Sequence, residues 1–533
     1  MRFLVLFLAL TVWSCNSPKA VNEASQTVNQ DDEQFKVLDS RFLKREDIIA
    51  PFKEELSSFR ESEKLKSLIL EKSIPEIQQA VYDGKLSYQQ LTLFYINRIA
   101  KYDRENRKSL NAVIALNPQA IQDAYAYDLR IDEFRRGEGK FNPYSLMGMP
   151  ILLKDNINAA GMKTTAGALV LKDLEPQNAR IVQRLIESDA IILGKANLSE
   201  WAYFFCGDCP SGYSAVGGQT LNPYGRKEID TGGSSSGSGV AIAANFAVAA
   251  VGSETAGSIL SPASQNSVVG LKPSVGTLSG IGIIPISTYL DTAGPMSKNV
   301  VDNVILMRGM LSDKRMFSDL FIANLGTSTV QGRVFGVFPG YKKNPLYARA
   351  VEQIIALGAT VVELEEKQPQ LDGFVSLLNV DMKKDLPAYF MGLGLPEYQG
   401  WDVAKVMELN KADSLNYMPY GQRLFHGIMD EKVYSPAESA ALKTRLTTQA
   451  QEYFDYYIQS HNLDGFLSVN NYNAAEAAVA FYPAITVPMG YDENGQPFGL
   501  TFIAPTEEEK MLYQWAAAYE KATQHRKMPK GYN

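Results

Sequence analysis

Two short loops carry the hydroxyl groups on which chemistry could be built: Gly232-Gly-Ser-Ser-Ser-Gly237 and Ser253-Glu-Thr-Ala-Gly-Ser258. An apolar, alanine-rich run of helical length separates them, so the pattern predicts two loops bracketing one buried helix. A phosphate cradle is a poor match, because a P-loop places a lysine directly after its second glycine and none lies between Gly232 and Gly239. Gly233-Ser-Ser-Ser-Gly237 also fits the G-x-S-x-G nucleophile elbow, with Ser235 in the nucleophile position. That turn needs an apolar strand leading into it and a histidine base. Residues 222–231 read as loop, and the chain has three histidines, His426, His461 and His525, the last in a basic tail expected to fray.

Where histidine is scarce, a neutral lysine can activate a serine, provided burial lowers its pKa enough. Lys154 is the candidate, because it closes Gly148-Met-Pro-Ile-Leu-Leu-Lys154, an apolar run with the length of a buried strand. On that segment alone, a lysine pointing from a strand end into water is the simpler reading.

Leu153-Lys-Asp-Asn-Ile157, Gly161-Met-Lys-Thr-Thr-Ala-Gly167, Gly232-Gly-Ser-Ser-Ser-Gly237, Gly257-Ser-Ile259 and Gly270-Leu-Lys-Pro273, in that order, together resemble the amidase signature family. The likeness runs from about residue 76 to about residue 523. Ile283-Ile-Pro-Ile-Ser287 followed by Asp291-Thr-Ala-Gly-Pro295 looks most like the bacterial peptide amidases.

The resemblance implies an amidohydrolase with a Ser-Ser-Lys triad: Ser258 as nucleophile, Ser234 as bridging serine and Lys154 as base. The choice of Ser234 over its neighbour Ser235 rests on the family spacing of 24 residues to Ser258. It further implies an oxyanion hole made by the backbone N–H groups of Thr255, Ala256, Gly257 and Ser258, a cis peptide bond before Ser234, and a small-molecule or peptide amide as substrate. Three positions depart from the commonest family pattern: Glu254 where Asp is usual, Ala256 where Gly or Asp is usual, and Leu260 where many members carry Arg. Leu260 weakens the alternative of a glutamine-hydrolysing amidotransferase component. Outside the enzymes, the alternative is a catalytically silent binding lipoprotein.

These residues must be held by a scaffold, and the pattern of elements predicts its class. Ser73-Ile-Pro-Glu76 and Ser87-Tyr-Gln-Gln90 are capping boxes, the second followed by Leu91, Phe94, Tyr95 and Ile99 at helical spacing. Residues 178–188 read as helix and 191–193 as strand, while 333–338, 345–357 and 360–364 repeat strand, helix, strand. Such alternation predicts an α/β fold: a single large domain whose central mixed, largely parallel sheet is covered on both faces by helices. Near the end, Asp492-Glu-Asn-Gly495 between two apolar runs marks a hairpin, and residues 506–523 a closing helix.

Residues 376–460 form a helical region rich in rings, among them Tyr389, Phe390, Tyr398, Trp401, Tyr417, Tyr420 and Phe425. Core packing is the ordinary meaning of scattered aromatics. In the family that the chain resembles, the equivalent region helps enclose the acyl side of the substrate.

At the amino end, residues 1–14 are apolar with one positive charge, Arg2, and too short to span a bilayer, which reads as a signal peptide. Cys15 directly after a small residue resembles a bacterial lipobox, so the expectation is a lipid on Cys15 and an exported protein of the bacterial cell envelope, membrane-anchored or periplasmic. Residues 15–40 follow as a flexible tether, with 16–34 nearly devoid of large apolar groups, leaving 41–533 as the catalytic domain.

Cys206-Gly-Asp-Cys209 has C-x-x-C spacing, but no second Cys/His pair lies nearby to complete a metal set, so a local disulfide or two thiols is expected. No cofactor fingerprint or internal repeat is present. The net charge of −7 argues against a nucleic-acid partner.

Overall fold

Short apolar runs, most of them buried on both faces, build the frame of the site. In the computed structural model, which describes residues 35–365, 369 and 371–533, they form strands β1 (Val113–Leu116), β2 (Pro150–Lys154), β3 (Ile191–Ala196), β4 (Tyr213–Ser214), β5 (Gly218–Gln219), β6 (Ala249–Glu254), β7 (Val269–Lys272), β8 (Thr292–Ser297), β9 (Val334–Val337), β10 (Thr360–Glu363), β11 (Gly465–Val469), β12 (Ala484–Tyr491) and β13 (Pro497–Ile503). Eleven of them make one sheet in the order β1-β3-β2-β6-β8-β7-β12-β13-β11-β9-β10, while β4 and β5 pair separately.

The single α/β domain with a mixed sheet flanked by helices is what the alternation of elements predicts, and Phe35–Asn533 forms one unit; of the ten strand pairs in the large sheet, four are parallel and six antiparallel. Parallel pairing is found in two blocks, β3-β2-β6 and β11-β9-β10. Each contains a crossover helix, Arg180–Ile186 between β2 and β3 and Pro345–Ala356 between β9 and β10, because parallel neighbours need such a connection. The strands between the blocks pair antiparallel, among them the β12–β13 hairpin that turns at Gly495.

Local chemistry sets the helix starts. Both capping boxes form, with Ser73 and Ser87 accepting from the third backbone N–H and Glu76 and Gln90 reaching back. Leu91, Phe94, Tyr95 and Ile99 then enter the main core. A second apolar cluster lies among the helices of the 376–460 region, where Phe390, Phe425, Leu446 and Phe454 are fully buried. Among the described residues, no helix is long and apolar enough to cross a membrane.

Three expectations are corrected. The apolar run between the serine loops is not one helix but the helix Ser236–Ala243 followed by β6. Asn245, at φ +57°, stops the helix, and because both halves are buried all round, periodicity cannot tell the buried strand from more helix. The expected tether does not reach residue 40: Val37 and Ser40 are buried, and the Leu38 carbonyl accepts from the Gln219 N–H (2.8 Å). The rest of it, with the expected signal peptide and Cys15, lies outside the described residues. The carboxyl-terminal tail does not fray, because Arg526 is paired with Glu71 (2.9 Å) and Tyr532 is buried.

Candidate active site

β2 is buried along its whole length, and at its carboxyl end Lys154 emerges beside β6 with no exposed surface. Its Nζ lies 2.7 Å from Ser234 Oγ, 2.9 Å from Ser253 Oγ and 3.0 Å from the Ser253 carbonyl. All three partners are neutral. Burial lowers the amine from the usual lysine value to about 7, and the more distant charges of Asp291 and Glu254 limit the fall. A neutral amine would give two N–H groups to Ser253 and keep its lone pair for the Ser234 hydroxyl proton.

The first serine loop sends its adjacent hydroxyls to different partners. Ser234, which follows a cis peptide bond, meets Lys154, and its carbonyl accepts from the Ser199 N–H (3.0 Å). Ser235 turns the other way. Its hydroxyl donates to the Ser253 carbonyl (3.0 Å) and accepts from the Ser253 N–H (3.2 Å), and its N–H donates to the Ser258 carbonyl (3.1 Å). Ser235 therefore staples the two serine loops together. His426 and His461 lie exposed on helices of the 376–460 region and His525 contacts Gln353, so none joins this cluster.

Ser258 is half-buried, and among the described residues its hydroxyl has no hydrogen-bond partner. The N–H groups of Ala256, Gly257 and Ser258 likewise have none there, which leaves them available to an incoming oxygen. Gly257 has φ +91°, and a Cβ at that position would lie 2.9 Å from Asn471 Nδ2, so glycine serves both the left-handed turn and the close packing. Downstream, Glu254 Oε2 accepts from the Ile259 (2.6 Å) and Leu260 (3.0 Å) N–H groups and holds the start of the helix Leu260–Gln265.

Sequence reasoning gave no role to three members of this cluster. Ser253 supplies both a carbonyl and a hydroxyl to Lys154, and Asn156 Nδ2 braces that hydroxyl (2.9 Å). Asp291 accepts from the Thr255 hydroxyl and from the Ile286 (2.8 Å) and Ser287 (3.0 Å) N–H groups. Burial pushes its carboxyl up, while those donors and Lys154 pull it back. Membership of the same short motifs was their only signal in sequence.

Other singled-out residues go elsewhere. Cys206 and Cys209 form a disulfide whose loop docks on the helical region, with Phe205 against Phe425 (5.0 Å) and Asp208 against Arg423 (3.2 Å). Phe390 stacks on Tyr398 (6.1 Å) and Tyr420 packs on Tyr213 (4.7 Å), whereas the Tyr389 hydroxyl reaches Asn158 Oδ1 (2.7 Å) close to the lysine strand.

The Amidase family model matches residues 90–382, the span that holds Lys154, Ser234 and Ser258. A solved amidase family protein from Bacillus anthracis str. Ames is 33% identical and aligns over 92% of this chain and 100% of its own, with a TM-score of 0.84. The peptide amidase from Stenotrophomonas maltophilia is 36% identical over 86% of this chain and 98% of its own, with a TM-score of 0.77. The glutamyl-tRNA(Gln) amidotransferase of Deinococcus deserti contributes a relative that is 30% identical over 461 residues, which are 78% of this chain and 90% of that protein.

Proposed function

This chain belongs to the amidase family, whose members hydrolyse amide C–N bonds, and from that premise we propose that it does so through Ser258, Ser234 and Lys154. Ser258 Oγ attacks the carbonyl carbon while its proton passes to Ser234 Oγ and the Ser234 proton to Lys154 Nζ. The N–H groups of Thr255, Ala256, Gly257 and Ser258 receive the negative oxygen. The relay then runs backwards and protonates the departing nitrogen, the C–N bond breaks, and an acyl ester remains on Ser258. Water, deprotonated through the same path, releases the acid.

The observation that carries this reading is the Lys154 amine: fully buried, 2.7 Å from the Ser234 hydroxyl, and among the described residues in contact with no carboxylate. Among the described residues no hydrogen bond joins the Ser258 and Ser234 hydroxyls, so the relay requires that bond to form once substrate is seated, as catalytic hydrogen bonds commonly do.

The substrate we propose is a carboxamide, a peptide amide foremost, which the 36% identity to a peptide amidase supports. Purified protein should release ammonia from an amidated dipeptide or a simple amide. Ser258→Ala should stop that release without disturbing the fold, while Ser235→Ala should remain active. The reverse pattern would transfer the nucleophile to the elbow position. Glutamine hydrolysis for a partner is a second reading, favoured by the 30% relative and disfavoured by Leu260; ammonia released from glutamine but from no other amide would establish it.

Export and a lipid on Cys15 are also proposed, on the sequence alone. Cys15→Ala should then move the protein from the membrane fraction to the soluble one.

A further inference from the structure

Residues 284–291 connect the catalytic cluster to the helical region and are gripped from both. At the start of the segment, the Ile284 N–H donates to the Asn156 carbonyl (2.9 Å), and the Ile284 carbonyl accepts from Asn156 Nδ2 (3.3 Å), the same amide that braces Ser253. At its end, Asp291 holds both its own turn and the Thr255 hydroxyl.

Three consecutive residues in between are held from the other side. Ser287 Oγ donates to Asp381 Oδ2 (2.5 Å), Thr288 gives its N–H (2.8 Å) and hydroxyl (2.6 Å) to Asp385 Oδ2, and the Tyr289 hydroxyl bonds Thr447 Oγ1 (2.8 Å).

The spacing of these partners is regular. Asp381 and Asp385 stand four residues apart on the helix Phe374–Gly392, and Lys443 and Thr447 four apart on the helix Pro436–His461, so each pair shares one face. Lys443 Nζ lies 2.6 Å from Asp381 Oδ1 and 4.8 Å above the Tyr289 ring. Both carboxylates are buried, Asp381 to 1% exposure and Asp385 to 6%.

A buried ion pair contributes little stability compared with well-packed apolar groups of the same volume. Two buried carboxylates aimed at successive residues of one segment do fix its place, since each hydrogen bond is directional and an unmade one is expensive. We propose that Asp381 and Asp385 are positioning residues for the amidase reaction: through Ser287 and Thr288 they hold residues 284–291, and through Asp291 and Thr255 they hold the loop that carries Ser258. The inference rests on Ser258 being the nucleophile proposed above. It gives the helical region a part in setting the geometry of the reaction, separate from any contact with substrate.

The test uses the full chain, ammonia release from an amidated dipeptide, and the rate at which a fluorophosphonate labels Ser258. Asp385→Asn and Ser287→Ala should each lower kcat by about ten- to a hundredfold while KM stays within about threefold, the pattern of lost alignment with binding kept. Labelling should slow in parallel, and Ser287→Thr should restore the rate. Combining Ser287→Ala with Thr255→Val should be no slower than the worse single variant, because both loosen one linkage. If the variants melt earlier yet keep the wild-type kcat well below their melting temperature, the carboxylates only dock helices and the inference is overturned. Should Asp381→Asn fail to fold, Ser287→Ala and Thr288→Val leave the Asp381–Lys443 pair in place and decide the matter. Wild-type turnover by Ser258→Ala would instead overturn the nucleophile itself.

Discussion

Lys154 and Lys195 end neighbouring parallel strands, and neither has exposed surface. In register Lys195 lies opposite Leu153 and Lys154 opposite Ala196, so the two amines leave the sheet on opposite faces. On its face Lys195 meets a carboxylate, Asp155, at 2.9 Å, together with the Ile157 carbonyl (2.8 Å) and the Thr164 hydroxyl (2.8 Å). Burial pulls the Lys195 amine down, and the touching carboxylate pulls it back. Lys154 meets only hydroxyls and a carbonyl, with Asp291 and Glu254 acting from further away. Burial by itself does not make a lysine a base. Burial without a counter-charge in contact lets the amine give up its proton more readily, and at Lys154 a serine hydroxyl lies within reach of the freed lone pair.

Substituting the two lysines is the strongest way to break that contrast. Lys154→Met should lower kcat/KM by about 10³- to 10⁴-fold, the size of a lost general base, and leave thermal unfolding unharmed, since a costly buried amine is removed. Lys195→Met should do the opposite. It leaves the Asp155 charge buried and unpaired, which costs about 3–5 kcal/mol in denaturant unfolding, while the protein that remains folded keeps its turnover. Equal losses of turnover in the two variants would end the distinction.

Acidity sharpens the same contrast. Below the Lys154 value of about 7 the amine is protonated, so kcat/KM should rise about tenfold per pH unit up to that point and then level. The sign for stability follows from the lowered value: between about 7 and 10.5 the unfolded chain holds a proton that the folded chain has released, so this group makes stability rise with pH over that window. An activity profile flat from about pH 5 to about 9, a span that the lowered lysine must cross, would remove Lys154 as the base. The smallest effect is expected at Ser235→Ala. It loses two bonds to the Ser253 main chain, about 1–2 kcal/mol of stability by melting, and remains an active enzyme.

Much of the scaffold was legible because its signals are local. A capping box acts within four residues, so Ser73 and Ser87 announced their helices, and the helix-strand run at 178–193 and the strand-helix-strand run at 333–364 announced parallel pairing, though not its confinement to two blocks. The stretch from Ser236 to Glu254 was misread because an all-buried run has no polar side to reveal its period. At the site the residue types were legible as motifs, but Asn156, Ser253 and Asp291 gained roles only where loops distant in sequence converge.

The sequence alone determined which groups were available: two serine loops, a lysine closing an apolar strand, and a family order of motifs that fits amide hydrolysis. Folding decided how they are paired. Lys154 meets Ser234 across 80 residues and Ser253 across 99, and its neighbour Asp155 is drawn to Lys195 on the far side of the sheet. Charge state depends on what lies within a few ångströms in a dry interior, and spacing along a chain does not encode that distance.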